Sequence, residues 1–444
     1  MSRDWRGLVH TRGDLPVADS APQRGRWRPL LEGELRERAL ADARAIAEAL
    51  EKLPEPPGAQ LAEQALLHAY LGFGGLGERH FDLSTQLIER AIDAVAAAPM
   101  RPSLYSGFVG VAWVLDHLQH HELSTVEQDG SEDVDPNEQV DTVLRDYLSG
   151  ERWNDGFDLI TGLVGVGVYL ADRLPRPVAR EGFERAIFHL SKLARPLKPG
   201  VTWWTPPELL LPVAREEFPE GHANLGVAHG VPAAIALVAQ ALGLGIRTEE
   251  SSALLTASLA WLRAQKSTEE SEGSYFAYSC APGKPGRAAR AAWCYGDPGI
   301  SAALLCAAHW AKDPSLEREA IQIGLRAAQR SPEKCGVVDV PLCHGAAGLA
   351  HLYNRMFQGT DDQRFHDAAL MWFERALQMR REAEGIGGYP AWRPAEGGWS
   401  ADPSFLSGAT GVALALVAAA TDVEPSWDRL LLASVPPKPR SDRK

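Results

Sequence analysis

A glycine motif that recurs along the chain constrains the fold more than any other feature. The pattern G-x-x-G, or a close variant, returns six times at intervals of 49 to 68 residues, and each copy opens an apolar run. The copies begin at Gly107, Gly162, Gly230, Gly296, Gly345 and Gly408. Long-period repeats are typical of stacked helical units that share one core. The repeat therefore allows 444 residues to form one domain, although a single core usually stops growing at about 300 residues.

Two kinds of helix are predicted to alternate. The glycine-led runs, for example 109–115 and 300–308, are apolar nearly all round, which indicates helices buried on most sides. A further inner helix at about 59–76 lacks the motif. Amphipathic stretches with apolar residues three and four positions apart indicate seven outer helices. These lie near 31–52, 82–98, 137–149, 177–194, 250–265, 314–330 and 362–380. Seven hairpins of one inner and one outer helix predict an all-α fold, an α/α toroid.

The expected domain plan follows from this pairing. Residues 1–30 are predicted to form an N-terminal extension, 31–425 one toroid domain and 426–444 a C-terminal tail. The segment 121–141 is acidic and polar, so we expect a solvated insertion there.

Three long segments enter inner helices from the same side and are rich in glycine, proline and aromatic residues: 200–228, 267–292 and 383–405. Long loops in a compact domain usually carry function, so these could line a peptide cleft. An equally good alternative is that their aromatic side chains cap the end of the ring. The aromatic candidates are Trp203, Trp204, Tyr275, Tyr389, Trp392 and Trp399.

Charge and composition exclude several classes of function. The formal net charge is −13 and there is no long basic run, which argues against a nucleic-acid partner. The longest near-apolar stretch, 408–420, is shorter than the roughly 20 residues of a membrane span. Because the N-terminus lacks an apolar signal segment, we expect a cytoplasmic protein. Five cysteines do not suit a disulfide framework, and metal binding or burial explains them better.

Two short strings carry the strongest chemical signal. Cys294 lies two residues before Gly296, and Cys343 and His344 directly precede Gly345. Two thiolates and one imidazole are typical zinc ligands, and three protein ligands leave one tetrahedral position open, as in catalytic sites. A structural zinc with Cys335 or Cys280 as fourth ligand remains the alternative.

Two more candidates precede other copies of the motif. Asp158 lies four residues before Gly162, and His229 lies one residue before Gly230. If all inner helices run in the same direction, these side chains meet the zinc ligands at one end of the ring. His229 could then act as general acid or base, and Asp158 could orient it. For Asp158, a helix cap or loop hydrogen bond is the competing role.

The strings W-C-Y-G and C-H-G resemble those of the lanthionine cyclases, the LanC-like family, over about residues 30 to 425. The resemblance implies an α/α toroid with one Zn²⁺ per chain, active in lanthipeptide antibiotic biosynthesis. Such enzymes add cysteine thiols to dehydroalanine or dehydrobutyrine in a dehydrated, leader-bearing precursor peptide, forming thioether rings. A separate dehydratase is an implied partner, because nothing in this chain resembles one. An export transporter is a further expected partner, which would place the protein at the membrane periphery.

The resemblance also assigns roles to individual residues. It implies that Cys294, Cys343 and His344 hold the zinc. The catalytic candidates that it implies are His229 in Ala228-His229-Gly230, Asp158 in Asp158-Leu159-Ile160-Thr161-Gly162, Arg290 four residues before Cys294, and Tyr295 directly after it. Arg290 could hold the aspartate or a substrate carbonyl, and an ordinary surface role is its alternative. Ala233 departs from the pattern, since it stands where a second glycine is usual.

Two other functions compete with this interpretation. One is a LanC-like zinc-binding module without cyclase activity, or one that adds glutathione-type thiols to dehydroamino acids in proteins. The other is an α/α-toroid glycosidase, for which Asp158 and Asp297 would be the pair of carboxylates. The second alternative gives the cysteines no purpose.

Overall fold

The computed structural model describes residues 25–54, 56–123, 135–267, 273–284, 286–393 and 397–439. Its helices are α1 (Gly33–Leu50), α2 (Gly58–Phe73), α3 (Arg79–Ala97), α4 (Phe108–Leu123), α5 (Glu138–Tyr147), α6 (Leu163–Asp172), α7 (Pro177–Leu193), α8 (Pro212–Glu217), α9 (Val231–Gly243), α10 (Thr248–Ala264), α11 (Asp297–Ala311), α12 (Pro314–Ala328), α13 (Ala346–Thr360), α14 (Gln363–Gln378) and α15 (Ala409–Ala420).

Seven of these helices form a closed inner ring. Each of α2, α4, α6, α9, α11, α13 and α15 contacts the next, and α15 contacts α2 again. Helix α15 shows why they lie inside, because every residue from Ala409 to Ala420 is buried. The outer helices α1, α3, α7, α10, α12 and α14 pack against this ring, and α5 packs against α7. The predicted α/α toroid is therefore confirmed.

The outer helices are buried on one face only. In α3 the buried residues are His80, Ser84, Ile88 and Ala91, which follow the three and four spacing of a single helical face. Within the described ranges, no helix combines the length and the hydropathy needed to cross a bilayer.

Short antiparallel strand pairs lie at the end of the ring where the inner helices begin. They are β1 (Arg195–Leu197) with β2 (Gly200–Thr202), β3 (Ala223–Asn224) with β4 (Ser279–Cys280), and β5 (Ala391–Arg393) with β6 (Gly398–Ser400). All of them belong to the long segments that precede α9, α11 and α15.

The turns that precede the inner helices are hydrogen-bonded to one another around the ring. The amide-to-carbonyl bonds are Tyr105 to Ile160, Leu159 to Ala228, Ala228 to Cys294, Cys294 to Cys343 and Cys343 to Leu406, with N–O distances of 3.4, 3.3, 3.4, 3.1 and 2.7 Å. Such a chain requires the starts of these helices to lie at the same end. The inner helices therefore run in the same direction, as the convergence of the site residues requires.

The first repeat, which lacks the glycine motif, closes this ring with a side chain. Glu63 of α2 accepts a hydrogen bond from the amide of Phe405, at 2.9 Å from its Oε2. Burial raises the pKa of Glu63 to about 7, although the bond from Phe405 opposes that change. A carboxyl group thus replaces the backbone turn that the other repeats supply.

The motif glycines are required by close packing. A Cβ at Gly299 would lie 2.0 Å from the carbonyl oxygen of Trp293, and a Cβ at Gly348 would lie 2.0 Å from that of Leu342. Each glycine lets the turn before a helix press against the first turn of that helix. The glycines of the two strings that carry Cys294 and Cys343 are therefore needed to hold these two cysteines at fixed places on the ring.

Both chain ends continue the packed body beyond the expected boundaries. Residues Ser426–Leu431 form a 3₁₀ helix inside the ring, where Tyr105 Oη and Trp293 Nε1 donate to the carbonyls of Leu430 and Leu431 at 2.6 and 2.8 Å. At the other end, Trp27 Nε1 donates to the carbonyl of Ala418 at 2.8 Å. The stretches 25–30 and 426–438 are thus part of the toroid, and they are neither extension nor tail.

The acidic insertion is also partly built into the body. Asp135 and Asp141 both bind the guanidinium of Arg173, which is fully buried and also bound by Asp116. Residues 135–141 are therefore fixed to the inner wall, which corrects the expectation of a solvated loop for this part. The stretch 124–134 lies outside the described residues.

We expect Asp428→Ala to destabilise the protein strongly. Asp428 accepts hydrogen bonds from Arg355 at 2.8 and 3.0 Å and lies 3.0 Å from His351 Nε2, and all three side chains are at most 1% exposed. Removing one partner of a buried ion pair costs about 3–5 kcal/mol. Urea unfolding followed by circular dichroism measures this. The control Asp367→Ala removes an exposed carboxylate beside His366 and should change stability by less than about 0.5 kcal/mol.

Candidate functional site

The three predicted ligands meet in one cluster. The ligand atoms of Cys294, Cys343 and His344 all lie within 4.8 Å of one another. Cys294 sits in the turn before α11, and Cys343 and His344 sit in the turn before α13. The amide bond from Cys294 to the carbonyl of Cys343, 3.1 Å long, holds the two turns together. The cluster thus rests on the rigid ring of turns and not on a mobile loop.

The donor set fits a zinc ion. Tetrahedral zinc with Cys and His ligands places its donor atoms about 3.5–3.8 Å apart, which a cluster of this span can adopt with small rotamer changes. The alternative fourth ligands do not join it. Cys335 Sγ instead faces the carbonyl of Arg330 at 3.7 Å, Cys280 lies in β4, and in the described part of the chain no further Cys, His, Asp or Glu completes the group.

A hydrogen bond between the two thiols shifts the pKa of each in opposite directions. Cys343 donates a hydrogen bond to the sulfur of Cys294, which lowers the pKa of Cys294 to about 5, against the opposing effect of burial. The same contact raises the pKa of Cys343, because a second thiolate would face the first. Cys294 and Cys343 together therefore carry about one negative charge at neutral pH, which attracts a cation.

His229 and Asp158 form a hydrogen-bonded pair beside this cluster. Nδ1 of His229 lies 3.0 Å from Oδ2 of Asp158. A carboxylate only accepts, so Nδ1 donates and Nε2 is left free to exchange a proton with a substrate. The other oxygen of Asp158 accepts from the amide of Thr161 at 2.7 Å. Asp158 therefore fills both of the roles considered for it, since it stabilises its own turn and orients the imidazole.

The pair also shifts the two pKa values in opposite directions. Burial alone would lower the pKa of His229, but the hydrogen bond and charge of Asp158 outweigh burial and raise it. Burial likewise favours the neutral form of Asp158, yet the hydrogen bond and charge of His229 together with the hydrogen bonds from Thr161 outweigh burial and lower the pKa of Asp158. The His229 side chain remains 45% exposed, so it is accessible to a peptide.

We expect Asp158→Asn to lower the pKa of His229. Without the carboxylate, burial acts on the imidazole with little opposition, so its titration should move from above the ordinary value of 6.5 to below it. Histidine-selective NMR across pH 5 to 9 measures this. The variant Asp155→Asn, in the same exposed loop, is the control and should leave the titration unchanged. An unaltered His229 pKa in Asp158→Asn would contradict the pairing.

Arg290 and Tyr295 lie at the rim of the cluster. Although burial opposes it, the pKa of Arg290 is raised by its hydrogen bond to Tyr278 and by the nearby Cys294 and Cys343. Tyr295 Oη accepts from Asn224 Nδ2 at 3.0 Å, and its ring lies 5.2 Å from that of Tyr278. Among the described contacts, Asp158 binds Thr161 and His229 and not Arg290. The side chain of Arg290 binds Tyr278 instead.

Some sequence candidates have structural roles. Asp297 accepts from the hydroxyl of Ser274 and from the amides of Tyr275 and Phe276, so it anchors a loop and gives the glycosidase alternative no second free carboxylate. Trp203 and Tyr389 are buried in the core, at 0% and 2% exposure, and cannot wall a cleft. Trp399, by contrast, is 41% exposed and lies 5.2 Å from Trp392.

One residue near the site was not singled out by sequence reasoning. Burial lowers the pKa of His222, and His229 is close enough to add to that effect. Its Nδ1 has no hydrogen-bond partner among the described residues. A neutral imidazole therefore stands next to His229, and no motif in the sequence marks it.

The structure is thus an α/α toroid with a Cys₂His cluster and an adjacent His–Asp pair at one end of its ring. The family model for lanthionine synthetase C-like proteins matches residues 65–432. This chain therefore belongs to the lanthionine synthetase C-like family. Its fold is similar to the solved structure of nisin cyclase, with a TM-score of 0.72 and 20% identity over 88% of this chain and 96% of that one. Among curated protein sequences, none matches this chain.

Proposed function

We propose that this protein is a zinc-dependent lanthionine cyclase, which closes thioether rings in a dehydrated precursor peptide. The observation that carries this proposal is the joining of four turns by backbone hydrogen bonds. These turns deliver the Cys₂His cluster and the His229–Asp158 pair to one end of the toroid. Family membership and the likeness to nisin cyclase support it.

Cys294, Cys343 and His344 would hold the zinc ion. When bound, Zn²⁺ would lower the pKa of a substrate cysteine thiol, so that a thiolate exists at neutral pH. The two cysteine thiolates would offset the +2 charge of the ion. A substrate sulfur would then be bound less tightly by the ion and would be more nucleophilic.

His229 would transfer the proton during the addition. The substrate sulfur forms a bond to the β-carbon of dehydroalanine or dehydrobutyrine, the carbon–carbon double bond is lost, and the α-carbon receives a proton. His229 Nε2 can accept the thiol proton and return it to the α-carbon, so one residue serves as base and acid. Asp158 holds the imidazole by Nδ1 throughout. Arg290 and Tyr295, at the rim of the cluster, are placed to bind the substrate carbonyl as charge develops on it.

The substrate and partners are part of the same proposal. The net charge of −13 suits a cationic, leader-bearing peptide. Since the chain holds no group that would dehydrate serine or threonine, a separate dehydratase would supply the substrate. We further propose a cytoplasmic location, with docking to an export transporter at the membrane periphery.

A thiol-loss assay tests the function. The zinc-loaded protein is incubated with a peptide that contains dehydroalanine and cysteine, and free thiols are then alkylated and counted by mass spectrometry. Ring closure leaves the peptide mass unchanged and removes alkylatable thiols, which is the expected result. A peptide that gains mass only when glutathione is added would support the thiol-adding alternative. Full thiol retention with a cognate peptide and bound zinc would contradict the cyclase proposal, and the additional absence of any mass gain with glutathione would contradict the alternative as well.

A further inference from the structure

Asp339, four residues before Cys343, lies beneath the proposed metal ligands. Its side chain is 1% exposed, and its Oδ2 lies 3.8 Å from Nε2 of His344. Its Oδ1 has no hydrogen-bond partner among the described residues. A buried carboxylate with one unpaired oxygen is costly unless a positive charge lies nearby.

The same carboxylate binds the aromatic hairpin formed by β5 and β6. Oδ2 of Asp339 accepts from the amide of Trp392 at 3.0 Å. Trp392 packs against Trp399 of β6, which is partly exposed to solvent. One side chain therefore contacts both a predicted metal ligand and a wall of the predicted peptide cleft.

We propose that Asp339 is a positioning residue, which orients His344 toward the metal through Nε2 and fixes the aromatic hairpin against the metal site. This inference rests on the zinc part of the proposed function. At 3.8 Å the carboxylate lies just beyond hydrogen-bond distance of Nε2, and its charge favours the tautomer with the proton on that nitrogen. A shortening of this contact on metal binding would leave Nδ1 as the metal donor and make that nitrogen more basic. The metal ion bound to His344 would then supply the positive charge that balances the buried carboxylate of Asp339.

A matched control exists one repeat further along the chain. Asp402 lies six residues before Gly408, just as Asp339 lies six residues before Gly345. The backbone carbonyls of both accept from the first amide of the following helix, Ala409 and Ala346, at 2.9 Å. Asp402 also binds the hairpin, through Arg393, but its turn carries no metal ligand. A substitution there tests the turn and the hairpin without touching the metal site.

The test compares the zinc affinity of Asp339→Asn and Asp402→Asn by chelator competition, with no peptide present. Asparagine keeps an acceptor for the Trp392 amide and removes only the charge. Loss of a carboxylate that lies behind a metal-ligating histidine typically weakens metal binding about 10–100-fold. We expect a loss of this size for Asp339→Asn and a change of less than about 2-fold for Asp402→Asn. Equal affinities of Asp339→Asn and wild type would overturn the inference.

A measurement on the unaltered protein covers the case in which Asp339→Asn fails to fold. Nitrogen-15 NMR of the zinc-loaded wild type should show His344 with its proton on Nε2 and the metal on Nδ1, and the opposite tautomer would overturn the inference. Neither readout uses cyclase activity. Weakened zinc binding in Asp339→Asn together with an inactive wild type would therefore uphold Asp339 and sink the proposed function.

Discussion

Cys343→Ala should abolish both stoichiometric zinc binding and ring closure. The substitution leaves only Cys294 and His344, and two protein ligands rarely hold zinc at a catalytic site. It also removes the hydrogen bond that lowers the pKa of Cys294. We expect zinc content to fall from one per chain to nearly zero, and thiol loss in the peptide to fall to the uncatalysed rate. Elemental analysis after dialysis and the alkylation assay measure the two effects.

Cys280→Ala is the control for this prediction. Cys280 is a free, partly buried thiol in β4 and does not belong to the ligand cluster. Its replacement should leave zinc at one per chain. If Cys343→Ala retained a full equivalent of zinc after dialysis, the assignment of the metal site would be wrong.

His229→Ala should lower kcat by about 10²–10⁴-fold while zinc stays bound, because a positioned general acid–base group contributes a factor of that size. His229 does not belong to the ligand cluster, and its described hydrogen bond goes to Asp158. Steady-state alkylation kinetics together with the zinc content separate this outcome from loss of metal. The fold should remain intact, since the side chain is 45% exposed.

His366→Ala provides the comparison for His229. His366 lies on the outer helix α14, beside the exposed Asp367, and does not belong to the ligand cluster. It should leave kcat within about 2-fold of wild type. A His229→Ala enzyme with similar activity would remove the proposed acid–base role and would leave the proton transfer to another group, of which the neighbouring His222 is the first to examine.

The helical ring could be predicted because its causes are local. Inner helices are apolar all round, outer helices are apolar on one face, and each glycine motif marks a turn pressed against a helix start. The predicted outer helix at 177–194, for example, is observed as Pro177–Leu193. The Cys₂His cluster could also be predicted, since Cys294 and Cys343 each lie two residues before a motif glycine and the ring brings those positions together.

What could not be predicted depends on contacts between residues far apart in the chain. The hydrogen bond that Arg355 donates to Asp428 helps to place residues 426–438 inside the ring, but neither residue belongs to a motif. Glu63 closes the ring through Phe405, 342 residues away. Asp339 lies close to the ligand string, yet nothing local shows that its buried side chain faces His344. Such pairings follow from tertiary packing, for which the periodicity of one helix holds no signal.

The proposed function depends most directly on the open coordination position at the zinc ion. X-ray absorption at the zinc edge measures it, through the number of sulfur ligands with and without a cysteine-containing peptide. The account predicts two sulfurs per zinc in the protein alone, from Cys294 and Cys343, and three when the peptide thiol binds. A sulfur count that stays at two with saturating peptide, or that is already four without it, would contradict the account.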